Sequence, residues 1–454
     1  METHPGECYE TMTSLLRWAV HGRVALALVA RRGGPRHAVR GLAAGDAPLP
    51  ALLEVSSAAQ RRARESRKWT RFEAAVLPLW VADSDFASPP AVRDAVRDAA
   101  AADQFGYVNP PAALVDAAQM AVGRSWGRAV DAAWFRWQPG LIAALYHAAR
   151  LAGPAGAVAA PAPVYPPFRN AADDCSVRVD VDVGHGGGAL DEAALERALE
   201  EAVEKARGGD AVLLWCNPHN PTGRVWREAE MRAVAEACAA RNVVLVSDEV
   251  WSGLVYDGPF TSAGIFHGEI PGLRLVVLTS PSKTYNVAGL DLALAVIPDD
   301  ALRGRYFRAG RDQAEVPAAG YAAFRAVLAG ETGGGASRCP LSVPGGACEP
   351  WREAQLAYLR GNRDRAWAFV RDECGPTLAV AAAPPEASYL LWIDATRIPS
   401  PGLFLKKRGV YLTEGQGFGA RGFVRLNFGC HRDTLDEGLR RLKAAVDAFD
   451  AGAA

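Results

Sequence analysis

The chain has 454 residues, 50% of them hydrophobic and 22% charged, with a formal net charge of −1. One hydrophobic core serves at most about 250–300 residues, so this length predicts two domains. The near-neutral balance gives no ground for a nucleic-acid or membrane partner, and no segment supplies the ~20 predominantly apolar residues of a spanning helix. The eight cysteines are scattered without a CxxC pair or a His/Cys cluster, which argues against a bound metal.

Residues 1–66, with the basic stretch Arg31-Arg32-Gly33-Gly34-Pro35-Arg36, are expected to be an N-terminal extension that adds little to the core. It is either partly disordered or precedes a true start downstream of Met1. The apolar run at 15–30 is broken by Arg17, His21 and Arg23 and lacks the cleavage site of an export signal, so a cytoplasmic protein is expected. From residue 68 short apolar runs alternate with helical stretches, the pattern of a parallel sheet covered by helices. Strands are expected at 157–160, 211–215, 242–246, 275–278 and 292–297, and helices at 141–151, 192–205 and 228–240. After residue 306 the style changes to a helix-rich stretch that runs to 372, interrupted by a loop at 330–350. Cys339 and Cys348 share that Gly/Pro-rich loop; a bridge between them is one reading, and free cytosolic thiols are the expected one. Strands at 389–393 and 422–428 and a helix at 434–449 complete the chain. The fold class expected is α/β, with a large domain followed by a smaller α+β domain.

Residues with chemical potential stand at the ends of these runs. Pro139-Gly140-Leu141-Ile142 leads into a helix whose free N–H groups favour an anion; an ordinary loop glycine is the alternative. Tyr165 follows the strand at 157–160 and is either a ring to lay against a flat ligand or a core tyrosine. Asn220 lies in Asn217-Pro218-His219-Asn220-Pro221-Thr222-Gly223, where two Asn-Pro pairs after a buried strand exceed plain turn chemistry. Asp248 ends the next apolar run, where open α/β sheets bind their ligands. Lys283, in Ser280-Pro281-Ser282-Lys283, follows another buried strand, so partial desolvation would leave its amine able to form a Schiff base. The hydroxyls of Ser280 and Ser282 are candidate phosphate donors. Lysine, aspartate and asparagine together suggest a site for pyridoxal 5′-phosphate (PLP). Arg425, in the alternating run Phe423-Val424-Arg425-Leu426-Asn427-Phe428, needs an anionic partner: a substrate carboxylate, or an internal Asp or Glu. Gly415-Gln416-Gly417-Phe418-Gly419 is no dinucleotide loop, because it precedes a strand instead of linking a strand to a helix.

The chain resembles the fold-type I PLP-dependent enzymes of the class I/II aminotransferase group, and within it the cystathionine β-lyase (C–S lyase) branch. The segments that carry the resemblance are LPLWVADSDF (77–86), FGY (105–107), APVYPPF (162–168), LWCNPHNPTGRVW (214–226), VSDEV (246–250), TSPSKTYNVAGL (279–290), YLRGNRD (358–364), PEASYLLWIDATRI (385–398) and GFVRLNFGC (422–430). The resemblance implies an aspartate aminotransferase-like fold. After the extension it would have an arm bordering the pocket at 67–110, a large PLP-binding domain at 111–305 and a small domain at 306–454. It also implies that Lys283 carries PLP and moves protons, Asp248 pairs with the pyridine nitrogen, Asn220 meets the phenolic oxygen and Tyr165 stacks. Arg425 would hold the substrate carboxylate, and the segment 80–86, with Asp83, would border the substrate. Tyr107 would reach the phosphate of a neighbouring subunit, which implies a homodimer with shared sites.

Three features depart from the family pattern. Trp251 stands where the family has His or Tyr near the phenolic oxygen. Asp291 stands where many relatives carry a phosphate-binding arginine, and it is expected to point away from the phosphate. The loop at 330–350 and the extension have no clear counterpart. The expected reaction is β-elimination from an L-cysteine conjugate or related amino acid, with an aminotransferase, or a decarboxylating or oxidatively deaminating enzyme, as the alternatives. A non-enzymatic PLP-fold regulator fits poorly, because Lys283 is present and the basic N-terminal stretch has no helix-turn-helix pattern.

Overall fold

The computed structural model describes residues 49–330 and 339–452; the expected extension before residue 49 and the centre of the expected loop lie outside them. Strand β1 spans Leu77–Pro78, β2 Phe135–Gln138, β3 Ala157–Ala162, β4 Val177–Asp182, β5 Ala211–Cys216 and β6 Val244–Asp248. Strand β7 spans Arg274–Thr279, β8 Ala293–Val296, β9 Leu390–Asp394, β10 Val410–Tyr411, β11 Thr413–Glu414 and β12 Phe423–Asn427. The central sheet has seven strands in the order β2-β8-β7-β6-β5-β3-β4. Five of them, β7 to β4 in that order, run parallel, and β8 is antiparallel to both its neighbours.

The parallel strands are apolar on both faces, as a sheet buried between helices requires. Alternate residues on one face, Val158, Ala160, Val212, Leu214, Val244, Val246, Val276 and Leu278, pack with helices Leu141–Ala149 and Pro166–Cys175. The chain reverses direction in the sheet at β3, which has β4 on one side and β5 on the other. Such a switch point opens a crevice at the carboxyl ends of the strands. The carboxyl ends of β3, β5, β6 and β7 and the loops that follow them meet there, and they carry Tyr165, Asn220, Asp248 and Lys283.

A second, antiparallel sheet, β11-β12-β9, places Arg425 opposite Trp392. It packs with the long helix Glu349–Glu373. The mixed α/β class is as expected, and the strand boundaries need small corrections. Strand β6 starts at Val244 and not at 242, because Asn242 adopts φ +52° and Val243 N–H closes the preceding helix on Cys238 C=O. Strands β2 and β4 were not anticipated: both carry polar residues at alternate positions and lie at the sheet edges.

The expectation that residues up to 66 add little to the core fails for the described part. Leu53 is buried, Val55 bridges to Phe86, and Arg61 pairs with the buried Asp85 at 3.4 Å. Helix Ala58–Ala63 begins with a reciprocal capping box between Ser57 and Gln60, a signature visible in the sequence as S-x-x-Q. Strand β1 pairs in parallel with β10, so the expected arm is stitched to the C-terminal part of the chain. The seven described cysteines are free thiols, Cys339 and Cys348 among them. Among the described residues no helix is long and apolar enough to cross a membrane.

Candidate active site

Asp248 is the last residue of β6 and is buried. Strand alternation turns its side chain to the same face as Val244 and Val246, the face covered by helix Leu141–Ala149. Its carboxylate accepts one hydrogen bond, from Val250 N–H at 3.0 Å. Burial pushes its pKa up to about 7, against that bond and the nearby charge of Lys283. A buried acid held so loosely is poised to stay ionised only beside a cation. Glu249, one residue on, points to the opposite face and has a different job. Its Oε1 accepts from Ser247 Oγ, Ser262 Oγ and Ala263 N–H at 2.9–3.1 Å, which knits the loop after β6 together.

Asn220 is held by a tight loop in which Gly223 N–H meets His219 C=O at 2.8 Å and His219 N–H meets Arg224 C=O at 2.7 Å. Gly223 adopts φ +72°, and a Cβ there would lie 2.4 Å from Pro385 Cβ, so only glycine fits. The Asn220 side-chain oxygen accepts from Arg425 Nη1 at 2.9 Å. A guanidinium only donates, so this bond fixes the amide orientation and turns the NH2 group away from Arg425.

Arg425 is 3% exposed. Besides Asn220 it has a long contact from Nη2 to Trp80 C=O at 3.5 Å and lies 4.8 Å above the Phe418 ring, while its Nε is buried without a partner. No carboxylate pairs with it among the described residues, so the internal ion pair weighed above is absent. Burial brings its pKa down to about 10. A buried guanidinium with an idle donor and no counter-ion is a site for an anion with two oxygens.

Lys283 lies in the turn after β7, half-buried, and its amine donates to Ala82 C=O at 3.0 Å. Burial lowers its pKa; Asp83 and Asp248 oppose that shift and Arg425 adds to it. Tyr165 starts helix Pro166–Cys175 with its N–H on Asn220 C=O at 3.0 Å. Its ring sits between the main core and the Trp392–Phe418 cluster. Lys283, Asp248, Arg425, Asn220 and Tyr165 therefore converge through contacts or mutual charge effects.

Other expected residues fare differently. Gly140 adopts φ +95° and caps helix Leu141–Ala149 without a side-chain bond, which leaves the N–H groups of the first turn, Leu141 and Ile142 among them, available. Ser280 is corrected: its hydroxyl donates to Leu292 C=O at 2.7 Å and accepts from Ser282 N–H, so its only proton is engaged inside the loop. Ser282 is half-buried and keeps its hydroxyl free among the described residues. Asp291, expected to point away from the phosphate, lies beside Gly140. Its Oδ1 lies 3.5 Å from where a Cβ on Gly140 would stand. The antiparallel register that sets Gln138 opposite Ala293 brings Asp291 opposite Gly140 two residues further on. Trp251 is buried with its ring edge-to-face against Tyr389 at 4.9 Å. Phe105 and Tyr107 are 76% and 94% exposed, so Tyr107 is not part of its own chain's pocket.

Sequence reasoning missed the residues that fix the segment 80–86. Asn427 Nδ2 donates to Val81 and Asp83 C=O, Asn286 Nδ2 to Ser84 and Phe86 C=O, and Tyr389 OH to Ala82 C=O. Asn427 could have been found, since it stands two residues from Arg425 on the same strand face.

The family model for aminotransferase class I and II matches residues 76–442. The chain is 32% identical to cystathionine beta-lyase PatB of Bacillus subtilis over 385 residues, covering 82% of this chain and 92% of that protein. It is 31% identical to cystathionine beta-lyase of Corynebacterium glutamicum over 395 residues, covering 84% of this chain and 97% of that protein. A crystal structure from Corynebacterium diphtheriae, described as a candidate PLP-dependent beta-cystathionase, superposes with a TM-score of 0.72 at 27% identity, over 87% of this chain and 99% of that one. With strands, switch point and convergent side chains in agreement, the chain belongs to the aminotransferase class I and II family.

Proposed function

We propose that this protein is a PLP-dependent C–S lyase that eliminates a thiol from an L-cysteine conjugate or a related β-substituted amino acid. The observation that carries the reading is the buried Arg425, idle at Nε and without a carboxylate partner, beside Asn220 and within the charge field of Lys283. The relatives named cystathionine beta-lyase support the reaction class. The residues present fit the cofactor. Asp248 is a buried carboxylate that a pyridinium would keep ionised, Asn220 has a free amide donor, and the uncapped turn after Gly140 suits a phosphate. When bound, PLP supplies an electron sink for the carbon that loses its proton.

Lys283 would hold the cofactor covalently and, once released by the substrate amine, remove the Cα proton. Arg425 would grip the α-carboxylate through its fork and so aim the Cα–H bond at that amine. The Cβ–S bond then breaks with its electron pair on sulfur, and water completes the release of pyruvate and ammonia. Tyr165 would cover one face of the ring, and Trp251, which donates but exchanges no proton, leaves Asn220 as the donor at the phenolic oxygen. Asp83 would border the substrate. We also propose a homodimer in which Tyr107 serves the neighbouring subunit, and a cytoplasmic location, in keeping with free thiols.

The deciding assay supplies S-conjugates of L-cysteine without any 2-keto acid. Equimolar thiol and pyruvate are expected; turnover only after a keto-acid acceptor is added would establish the aminotransferase alternative instead. Lys283→Ala should abolish turnover in either case.

A further inference from the structure

Three distant stretches of the chain meet at one oxygen, the backbone carbonyl of Ala82. The Lys283 amine, from the turn after β7, donates to it at 3.0 Å, and the Tyr389 hydroxyl, from just before β9, donates to it at 3.3 Å. A carbonyl oxygen has two lone pairs, so it accepts both donors at once. Among the described residues this carbonyl is the only hydrogen-bond partner of either group.

The carbonyl is held from every side. The other end of its peptide unit, Asp83 N–H, donates to Val81 C=O at 2.8 Å. Asn427 Nδ2 holds the flanking carbonyls, Val81 C=O at 2.6 Å and Asp83 C=O at 2.8 Å, and Lys68 Nζ adds a bond to Asp83 C=O at 3.1 Å. Tyr389 is equally fixed. It is 1% exposed, and its ring meets Trp251 edge-to-face at 4.9 Å. Gly429 lies so close that a Cβ there would stand 3.0 Å from Tyr389 Cγ. The Tyr389 carbonyl accepts from Phe428 N–H at 2.9 Å. Ser388, just before it, adopts φ +70°, a region that a non-glycine residue enters at a cost. A buried tyrosine needs an acceptor for its hydroxyl, and the one it meets is the atom that also holds the lysine.

We propose that Tyr389 is a positioning residue for the free Lys283 amine, acting through the Ala82 carbonyl that both groups share. The bond to Ala82 takes one N–H of an amine whose four-carbon stem is otherwise free to rotate, and so sets the direction of its lone pair. The Tyr389 hydroxyl steadies that carbonyl from its second lone pair, and Trp251, where the family has His or Tyr, braces the ring. The inference rests on Lys283 being the proton carrier of the proposed lyase. It does not require Tyr389 to touch substrate or cofactor.

Tyr389→Phe deletes one oxygen and keeps the ring contacts, and it is the test. In crystals of the cofactor-free full chain, Lys283 Nζ is expected within hydrogen-bond distance of Ala82 C=O in wild type. In the variant it should be displaced from that oxygen or spread over several conformers. In the PLP-loaded enzyme, NMR follows the exchange of the L-alanine Cα proton with deuterated water, which reports proton transfer without needing a leaving group. Per bound cofactor, counted from its absorption band, that exchange should slow roughly tenfold at saturating L-alanine, with the half-saturating concentration changed less than about twofold. Trp251→Leu, which keeps the hydroxyl but removes its brace, should move both readouts the same way and add little on top of Tyr389→Phe. Lys283 Nζ unmoved in Tyr389→Phe would overturn the proposal. So would exchange lost only in proportion to lost cofactor, the mark of a merely structural tyrosine. If wild type releases no thiol from any S-conjugate, the lyase reading fails, while the crystal structures and the L-alanine exchange still decide the role of Tyr389.

Discussion

Arg425 and Asp248 are both buried, both short of partners, and both adjusted by burial in the direction that neutralises them. Ordinary core residues would not be left so, because an unmatched buried charge is strongly destabilising. This gives a stability signature at Asp248. Its pKa rises on folding from the usual 3.8 to about 7, so the folded chain binds this proton more tightly than the unfolded one. The contribution to stability is complete below pH ~4 and is lost as pH rises through about 7. Cofactor-free Asp248→Asn should therefore melt close to wild type at pH 4 and above it at pH 8. With PLP bound the order at pH 8 should reverse, since the pyridine partner then favours the ionised acid. Melting curves that differ by the same amount at both pH values in the cofactor-free proteins would remove Asp248 from this role.

At the scale of elements, the register of β2 and β8 has a consequence for the cofactor. It seats Asp291 against Gly140, beside the open N–H groups of helix Leu141–Ala149. A carboxylate there complements the positive end of the helix when nothing else is bound, and repels a phosphate when one arrives. Asp291→Asn is expected to tighten PLP binding by roughly two- to fivefold at low ionic strength, a gain that shrinks in high salt because Asp291 is exposed. Equilibrium dialysis at two salt concentrations measures it; unchanged affinity at low salt would mean the phosphate lies elsewhere. The family resemblance marked Asp291 as standing where many relatives carry an arginine but not where it would lie, because edge strand β2, with its alternating polar residues, was not anticipated. By contrast the places of Asp248 and Lys283 were legible: apolar runs mark β6 and β7, and the two residues stand at the carboxyl end of the one and in the turn after the other. The Ser280 hydroxyl was misread for a related reason. Its acceptor, Leu292 C=O, is twelve residues away, and no local pattern encodes that bond.

At the scale of the whole molecule, the exposed Phe105 and Tyr107 stand apart from the packed body. Large aromatic rings left in water on a loop mark a surface awaiting a partner. The proposed partner is a second copy of this chain, with Tyr107 completing the phosphate site across the interface, and this has a quantitative consequence. Tyr107→Ala and Lys283→Ala should each be nearly inactive as pure proteins. In a mixed dimer one site would carry both defects and the other neither, so a randomly reassorted equimolar mixture should recover about a quarter of wild-type activity. If Tyr107 served its own subunit, every site in the mixture would retain one defect and no activity would return. Recovery that tracks the exchange of subunits, read by mixing differently tagged variants and following activity with co-purification, would separate the two arrangements. In the proposed dimer the physical context of this segment lies on another molecule, which neither periodicity nor burial within one chain can reveal.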